Sequence, residues 1–97
     1  MKPLVWNEAK NTWLQSQRGI SFEDVVNAIN TGGLIAEMKH PNEIRYSNQY
    51  VMIVKLKGYV YVIPYVEDGE KRFLKTAYPS RKVKKFIESK GGAYEKN

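Results

Sequence analysis

The amino-acid sequence predicts an α+β domain in which two N-terminal helices pack on a four-stranded antiparallel sheet, followed by a C-terminal basic helix. Residues 7–33 carry helix caps and apolar residues at helical spacing, whereas residues 34–78 hold four runs rich in β-forming side chains. Turn residues separate these runs, as they do in β-hairpins. Helices grouped before successive hairpin-linked strands are typical of the α+β class.

The length of 97 residues predicts one domain spanning 1–97, with an ordered core over about 4–90 and a frayed tail over 91–97. Folding at this size removes roughly 60–70% of the chain's surface from water, which is enough for one modest core. The absence of cysteine excludes disulfides and thiolate metal sites and fits a reducing compartment. No apolar run reaches the ~18 residues that a membrane helix needs. We therefore expect a cytoplasmic protein without membrane contact.

The first helix is predicted between Asn7 and Gly19. Asn7 is a favoured N-cap residue, and Gly19 is a typical glycine at a helix C-terminus. Ala9 and Trp13 are four residues apart and share a helical face, with Leu14 beside them. This face is expected to be buried.

A second helix is predicted between Ser21 and the segment 31–33. Ser21 stands at the N-cap position, and Asp24 completes a capping box with Asp in place of the usual Glu or Gln. Because so short a turn joins the two helices, we expect them to cover one side of the sheet together. The residues of the buried stripe are predicted to be Phe22, Val25, Val26 and Ile29.

The four strands are predicted over residues 34–38, 50–56, 59–66 and 72–78. Pro41 prevents the first strand from continuing, and Asp68-Gly69 is a strong hairpin signal. Tyr50 is expected opposite three tyrosines that share one strand face. These aromatic side chains either stack on RNA bases or pack as a half-buried sheet surface. The three are Tyr59, Tyr61 and Tyr65.

The last helix is predicted to begin after Pro79, which ends the last strand, with Ser80 as its N-cap. It is expected to end at Gly91-Gly92. Its apolar stripe comprises Val83, Phe86 and Ile87.

The positive charge of the chain is concentrated around this helix. Residues Lys71–Lys90 hold eight basic side chains against one acidic side chain, whereas residues 1–70 hold seven basic and eight acidic ones. The net charge of +6 therefore arises in one stretch. Such a focused field favours a polyanionic partner, and a merely solvated basic helix is the alternative.

RNA cleavage is the chemistry that suits this chain. One histidine, no cysteine and no clustered carboxylates cannot supply the three or four ligands of a zinc site, and no credible Ser-His-Asp arrangement is recognisable around His40, the sole imidazole. Gly32-Gly33 follows a helix instead of opening one, which argues against a phosphate-binding loop. RNA supplies its own nucleophile, the 2′-hydroxyl, and the protein need only position it, transfer protons and neutralise charge. We expect no metal and no other cofactor.

The candidate catalytic residues are Arg81, Lys75, Tyr78 and His40. The planar guanidinium of Arg81 suits phosphate oxygens, and Lys75 adds positive charge or transfers a proton. Tyr78 orients the substrate or donates a proton to it. An imidazole such as that of His40 titrates near neutrality. Flanking phosphates are expected at the helix start and along its basic face, at Ser80, Lys82, Lys84 and Lys85.

Each candidate also has a purely structural interpretation. Lys75 is equally an ordinary exposed lysine, and Tyr78 is equally a core residue. Ser80 caps the helix whether or not it binds phosphate, and His40 precedes Pro41 in a loop where it can be a simple hydrogen bonder. Arg81 is the hardest to explain without a ligand.

Several segments resemble the BrnT-type toxins. Residues Val5–Asn11 and Arg18–Asp24 are similar to that family's opening, in which an aromatic residue, Asp or Asn, and Lys-Asn precede a Gly-Ile/Val-Ser-Phe-Glu turn between two helices. Lys75–Lys82 is similar to the Ser/Thr-Ala…Arg-Lys segment of the family. The resemblance covers residues 4 to about 90. Two middle segments resemble a subgroup of short bacterial toxin-like proteins: His40–Asn42 and Gly58–Asp68.

The resemblance implies a fold similar to RelE-type ribonucleases and metal-independent RNA cleavage that arrests translation. It also implies a ribbon-helix-helix antitoxin as partner, operator DNA bound only through that antitoxin, and the ribosome as a further partner. Arg81 and Thr76 match the family pattern by position, which adds Thr76 to the RNA-binding candidates. Two departures stand out: Arg18 replaces a usual His, and Tyr78-Pro79 is inserted before the final Ser-Arg-Lys.

Three hypotheses follow. The chain is an endoribonuclease toxin, or it is a non-catalytic module that binds RNA or protein through its basic C-terminal region. In the third, the basic helix is chiefly the docking surface for the antitoxin, which is compatible with the first.

Overall fold

The computed structural model describes residues 1–39, 44–45 and 48–95, with the backbone alone over 90–95. Its elements are β1 (Leu4–Trp6), α1 (Glu8–Arg18), α2 (Phe22–Asn30), β2 (Leu34–Lys39), β3 (Gln49–Leu56), β4 (Tyr59–Asp68), β5 (Lys71–Leu74), β6 (Tyr78–Pro79) and α3 (Arg81–Glu95). The α+β class and the order of the three helices confirm the prediction.

The helix caps form as the sequence predicts. The side chain of Asn7 accepts a hydrogen bond from the backbone N–H of Lys10 at 2.9 Å, and Gly19 ends α1 in the left-handed region at φ 67°. Ser21 and Asp24 form both hydrogen bonds of a capping box. Local side-chain chemistry therefore sets the limits of both helices.

The buried face of α1 differs from the prediction. Leu14 and the polar Asn11 are buried, whereas Ala9 and Trp13 are exposed. Asn11 is tolerated inside because its oxygen accepts from the N–H of Phe22 and its amide donates to Glu23, both at 2.7 Å. This leaves Trp13 on the surface.

Among the described residues the sheet is mixed and has six strands, so the predicted four-stranded antiparallel sheet is wrong in detail. Its order is β1-β5-β4-β3-β2, with β6 also paired to β4. The four predicted strands form the antiparallel part. β1 adds a parallel edge, with Leu4 opposite Arg72 and Trp6 opposite Leu74. A three-residue strand is too short for alternation to reveal it, and its partner is distant in the sequence.

The predicted last strand, residues 72–78, is interrupted. Tyr65 pairs with Leu74 and Val62 pairs with Tyr78, so a span of three residues along β4 lies opposite a span of four residues between Leu74 and Tyr78. The segment Lys75–Ala77 therefore holds one extra residue and forms a β-bulge. Pro64 explains it. Its carbonyl accepts from the N–H of Lys75 at 2.9 Å, but proline has no N–H to return.

The helices lie on both faces of the sheet. α1 and α2 cover a main core that contains Phe22, Met52, Ile63 and Leu74. On the other face, Val83 and Ile87 of α3 pack against a smaller cluster of Ile53, Val60 and Val62. The basic helix is thus separated from the N-terminal helices by the sheet.

α3 does not end at Gly91-Gly92. Its backbone continues through both glycines to Glu95, so the predicted helix end is wrong. Glycine costs about 1 kcal/mol relative to alanine inside a helix, but this does not stop a helix that has already formed several turns.

Candidate nucleic-acid interface

The start of α3 is fixed to the sheet by Ser80. Its N–H donates to the carbonyl of Val60 at 3.1 Å, and its hydroxyl accepts from the N–H of Val83 at 3.1 Å. Ser80 is thus the N-cap that the sequence predicts, with its hydroxyl already bonded. The first N–H groups of a helix lack partners within the helix, so those of Arg81 and Lys82 are the backbone donors suited to a phosphate here.

Five of the eight site candidates in this region are exposed, and Thr76, Ser80 and Lys84 are the half-buried ones. Tyr78 is 40% exposed, and Thr76 is half-buried. Over residues 81–89 of α3, whose side chains the structure describes, the one acidic residue is Glu88. The exposed basic residues, called the basic ridge below, are Lys75, Arg81, Lys82 and Lys85.

Lys84 differs from the residues of the basic ridge. It is half-buried, its ammonium lies 2.8 Å from a carboxylate oxygen of Glu88, and it lies 5.4 Å from the ring centroid of Tyr59. Lys84 therefore connects α3 to the start of β4, and part of its charge is balanced. We assign it a mainly structural contribution.

The bulge separates residues that simple alternation would place together. Strict alternation along a strand would place Lys75 and Ala77 on one face, but Lys75 is exposed while Ala77 is fully buried in the main core. The extra residue changes the direction of the side chains that follow it. As a result Lys75 and Tyr78 are both exposed, one before the buried Ala77 and one after it.

Arg18 holds the bulge in place, which the sequence did not indicate. Its Nη1 donates to the carbonyl oxygen of Ala77 at 2.6 Å and lies 3.5 Å from the hydroxyl of Thr76. The same guanidinium lies 4.8 Å from the ring centroid of Trp13, and Lys10 lies 4.0 Å from that ring. The sequence sets Arg18 apart only because it stands where the resembled BrnT-type toxins usually have His.

His40 lies outside the described residues. Among the described residues, no three His, Cys, Asp or Glu side chains lie close enough to hold one metal ion. None of the helices in the described part of the chain is both long and apolar enough to cross a membrane.

A second polar site lies on the opposite face of the sheet. Arg72 donates to Oε1 of Glu37 at 2.6 Å and to Oε1 of Glu67 at 3.0 Å. The hydroxyl of Tyr65 also donates to Oε1 of Glu37, at 2.9 Å, and Lys2 reaches Oε2 of Glu67 at 2.7 Å. We call these five residues the Glu37–Arg72 network.

The ionisation of two groups reflects this network. The pKa of Tyr65 lies above its usual range because burial and the hydrogen bond to the Glu37 carboxylate both favour the neutral phenol. The pKa of Glu67 lies below its ordinary value of 4.5, chiefly because Lys2 donates a hydrogen bond to the carboxylate, with Arg72 nearby. Glu67 and Tyr65 are thus held in their charged and neutral forms, respectively.

The Glu37–Arg72 network borders an open cavity of about 300 Å³. Tyr50, which was expected opposite the tyrosines of β4, pairs with Tyr65 and stacks on it with 5.5 Å between ring centroids. Tyr50 is half-buried, and it lines the cavity with Met38 and Lys39. Tyrosine alternation predicted the stack, but nothing local indicated that Glu37 and Arg72 would meet there.

No family model, curated protein or solved structure matches this chain.

Proposed function

We propose that the basic ridge binds the phosphate backbone of RNA and that the chain is a metal-independent endoribonuclease toxin. One observation supports this most strongly: Arg81 and Lys82 are exposed in the first turn of a helix whose start is fixed by Ser80, and Lys75 is exposed five residues before Ser80. Clustered cations beside free helix N–H groups favour phosphate oxygens. The BrnT-like segments supply the ribonuclease part of the proposal.

In the proposed reaction, the 2′-oxygen of RNA attacks the adjacent phosphorus and the bond to the 5′-oxygen breaks. The proton of the 2′-hydroxyl passes to a base, and the departing 5′-oxygen receives a proton. Arg81 neutralises charge that develops on the phosphate, while Lys75 and Tyr78 serve proton transfer. His40 stays a further candidate for that step. The products are a 2′,3′-cyclic phosphate and a 5′-hydroxyl.

The direct test is cleavage of single-stranded RNA by the purified protein in the presence of EDTA. We expect cyclic-phosphate products, and we expect Arg81→Ala to lower the rate at least 100-fold, the scale of losing one preorganised charge contact. Lys57→Ala is the control, because Lys57 is an exposed lysine whose ammonium lies 3.6 Å from Asp24 of α2, a helix on the other face of the sheet from α3. Equal rates for Arg81→Ala and the wild type would contradict the assignment of Arg81.

A non-catalytic binding module is the second candidate, and one observation favours it. Lys75 and Tyr78 are both exposed, whereas acid–base catalysts are commonly desolvated in a cleft to tune their pKa values. A module of this kind would bind RNA with steep salt dependence and leave it intact. Intact RNA under conditions of tight binding would therefore select this candidate over the toxin.

The proposed toxin would be neutralised by a ribbon-helix-helix antitoxin, and operator DNA would be bound only through that partner. Phe86 is 60% exposed on α3 among basic side chains, which suits an acidic amphipathic helix as the covering segment. Growth after induced expression tests this. We expect arrest with the chain alone and recovery when the adjacent gene is co-expressed, and no arrest with Arg81→Ala. Normal growth with wild-type protein would contradict the toxin proposal.

A further inference from the structure

The cavity beside the Glu37–Arg72 network takes no part in the function proposed above. It lies on the face of the sheet that carries α1 and α2, because Glu37 pairs with Met52 and Arg72 lies two residues before Leu74, both in the main core. The basic ridge begins on the opposite face. Any ligand of the cavity can therefore be studied apart from RNA binding by α3.

Two features of the cavity indicate a flat, polar ligand. Tyr50 is a half-buried aromatic ring stacked on a second ring, and stacking on such a ring suits any nucleobase. The volume of about 300 Å³ is at the small end of ligand pockets. A base with its sugar fits this size, whereas a dinucleotide does not.

The carboxylates define which edge of a ligand is recognised. Among the described residues, both hydrogen bonds to Glu37 end on Oε1, whereas those to Glu67 use both of its oxygens. Oε2 of Glu37 is therefore the acceptor left for a ligand donor. Arg72 and Tyr65 hold this carboxylate in place, so it is preorganised.

We propose that this cavity binds a guanine base. Guanine places two neighbouring donors, N1–H and the N2 amine, on one edge, and both can converge on Oε2 of Glu37, the oxygen left for a ligand. Its O6 is an acceptor beside them, which suits Lys39 or Arg72 at the cavity wall. Adenine and cytosine present one amine on that edge, and uracil has no amine, so Glu37 discriminates against all three.

The test compares binding of GMP and IMP by NMR titration of the intact chain. The two nucleotides carry the same phosphate and differ only by the N2 amine. We expect GMP to bind with shifts centred on Tyr50 and Glu37, and IMP to bind roughly tenfold or more weakly, since a hydrogen bond to a charged group is lost. Absence of GMP binding at millimolar concentration, or equal binding of both nucleotides, overturns the proposal.

Three variants separate the cavity from the basic ridge. Tyr50→Leu removes the stacking ring and leaves the Glu37–Arg72 network in place. Glu37→Gln keeps the shape of the side chain but removes its charge. Each variant should weaken GMP binding at least tenfold. Thermal unfolding checks that each variant folds. Arg81→Ala should bind GMP as the wild type does, even if it fails to bind RNA. Loss of GMP binding in Arg81→Ala alone would mean that the ridge holds the phosphate, and it overturns the guanine site.

Discussion

Arg18 links the end of α1 to the bulge, and we expect Arg18→Ala to destabilise the fold by about 2–4 kcal/mol. The acceptor is the carbonyl of Ala77, a residue with no exposed surface, and the 2.6 Å bond comes from a charged donor. Such bonds contribute about 1.5–3 kcal/mol. The contact with the 41%-exposed Trp13 adds about 0.5–1 kcal/mol, and the 3.5 Å approach to Thr76 adds little.

Urea unfolding followed by circular dichroism measures this loss. Arg18→Lys should lose only about 1 kcal/mol, because an ammonium can still donate to the carbonyl but cannot stack as a planar group. Lys10→Ala is the matched control, since Lys10 contacts the same Trp13 ring without bonding the bulge. If Arg18→Ala loses no more stability than Lys10→Ala, the bulge does not depend on Arg18.

Three further outcomes follow from the structure. Asn11→Ala should cost about 2–3 kcal/mol in urea unfolding, because two hydrogen bonds of a 2%-exposed side chain are lost. Folding lowers the pKa of Glu67. The stability that its carboxylate contributes is therefore present above the unfolded-state pKa, near 4.5, and is lost as the pH falls through the folded-state pKa. Glu67→Gln should flatten this acid limb of the curve of unfolding free energy against pH. Gly33→Ala should unfold at a lower temperature than Gly69→Ala, since its new Cβ would lie 2.7 and 2.8 Å from two backbone carbonyl oxygens, whereas Gly69 has open space despite its φ of 62°.

Each of these has a contrary result. A loss below about 1 kcal/mol for Asn11→Ala would mean that water replaces its hydrogen bonds. An acid limb of the same slope in Glu67→Gln would assign the pH dependence to other carboxylates. Equal unfolding temperatures for the two alanine variants would show that the turn after α2 shifts to accommodate a Cβ at Gly33.

The features that the sequence predicts well are those determined by near neighbours. The caps at Asn7 and Ser21 depend on side chains three residues away, and the hairpin that the Asp68-Gly69 signal predicts forms with Gly69 and Glu70 as its two turn residues. The Tyr50–Tyr65 stack follows from alternation and register. In each case the physics is local, so inspection of the sequence is sufficient.

The features that the sequence does not predict depend on distant pairing. β1 becomes a strand only because β5 offers a free edge, and the bulge arises because Pro64 lies opposite it. Neither cause is adjacent in the chain to its effect. The exposure of Trp13 has a similar origin, since Asn11 takes the buried position through bonds to α2.

The same limit applies to the candidate sites. Charge counting located the residues of the basic ridge, because eight basic side chains fall in one stretch. It did not show that Lys84 is partly neutralised by Glu88 or that Arg18 supports the bulge. The Glu37–Arg72 network joins residues from β2, β4 and β5 and the start of the chain, so only the folded sheet assembles it.

The salt dependence of RNA binding tests the central claim most directly. The ligand is a short 2′-O-methyl RNA, which lacks the nucleophile and cannot be cleaved. Binding should weaken linearly in log salt, and the double variant Arg81→Ala/Lys82→Ala should lower the slope by roughly 1.4, at about 0.7 for each phosphate contact. Lys57→Ala, which changes an exposed lysine paired with Asp24 of α2, should keep the wild-type slope. A double variant with an unchanged slope would contradict the basic ridge as the RNA-binding surface.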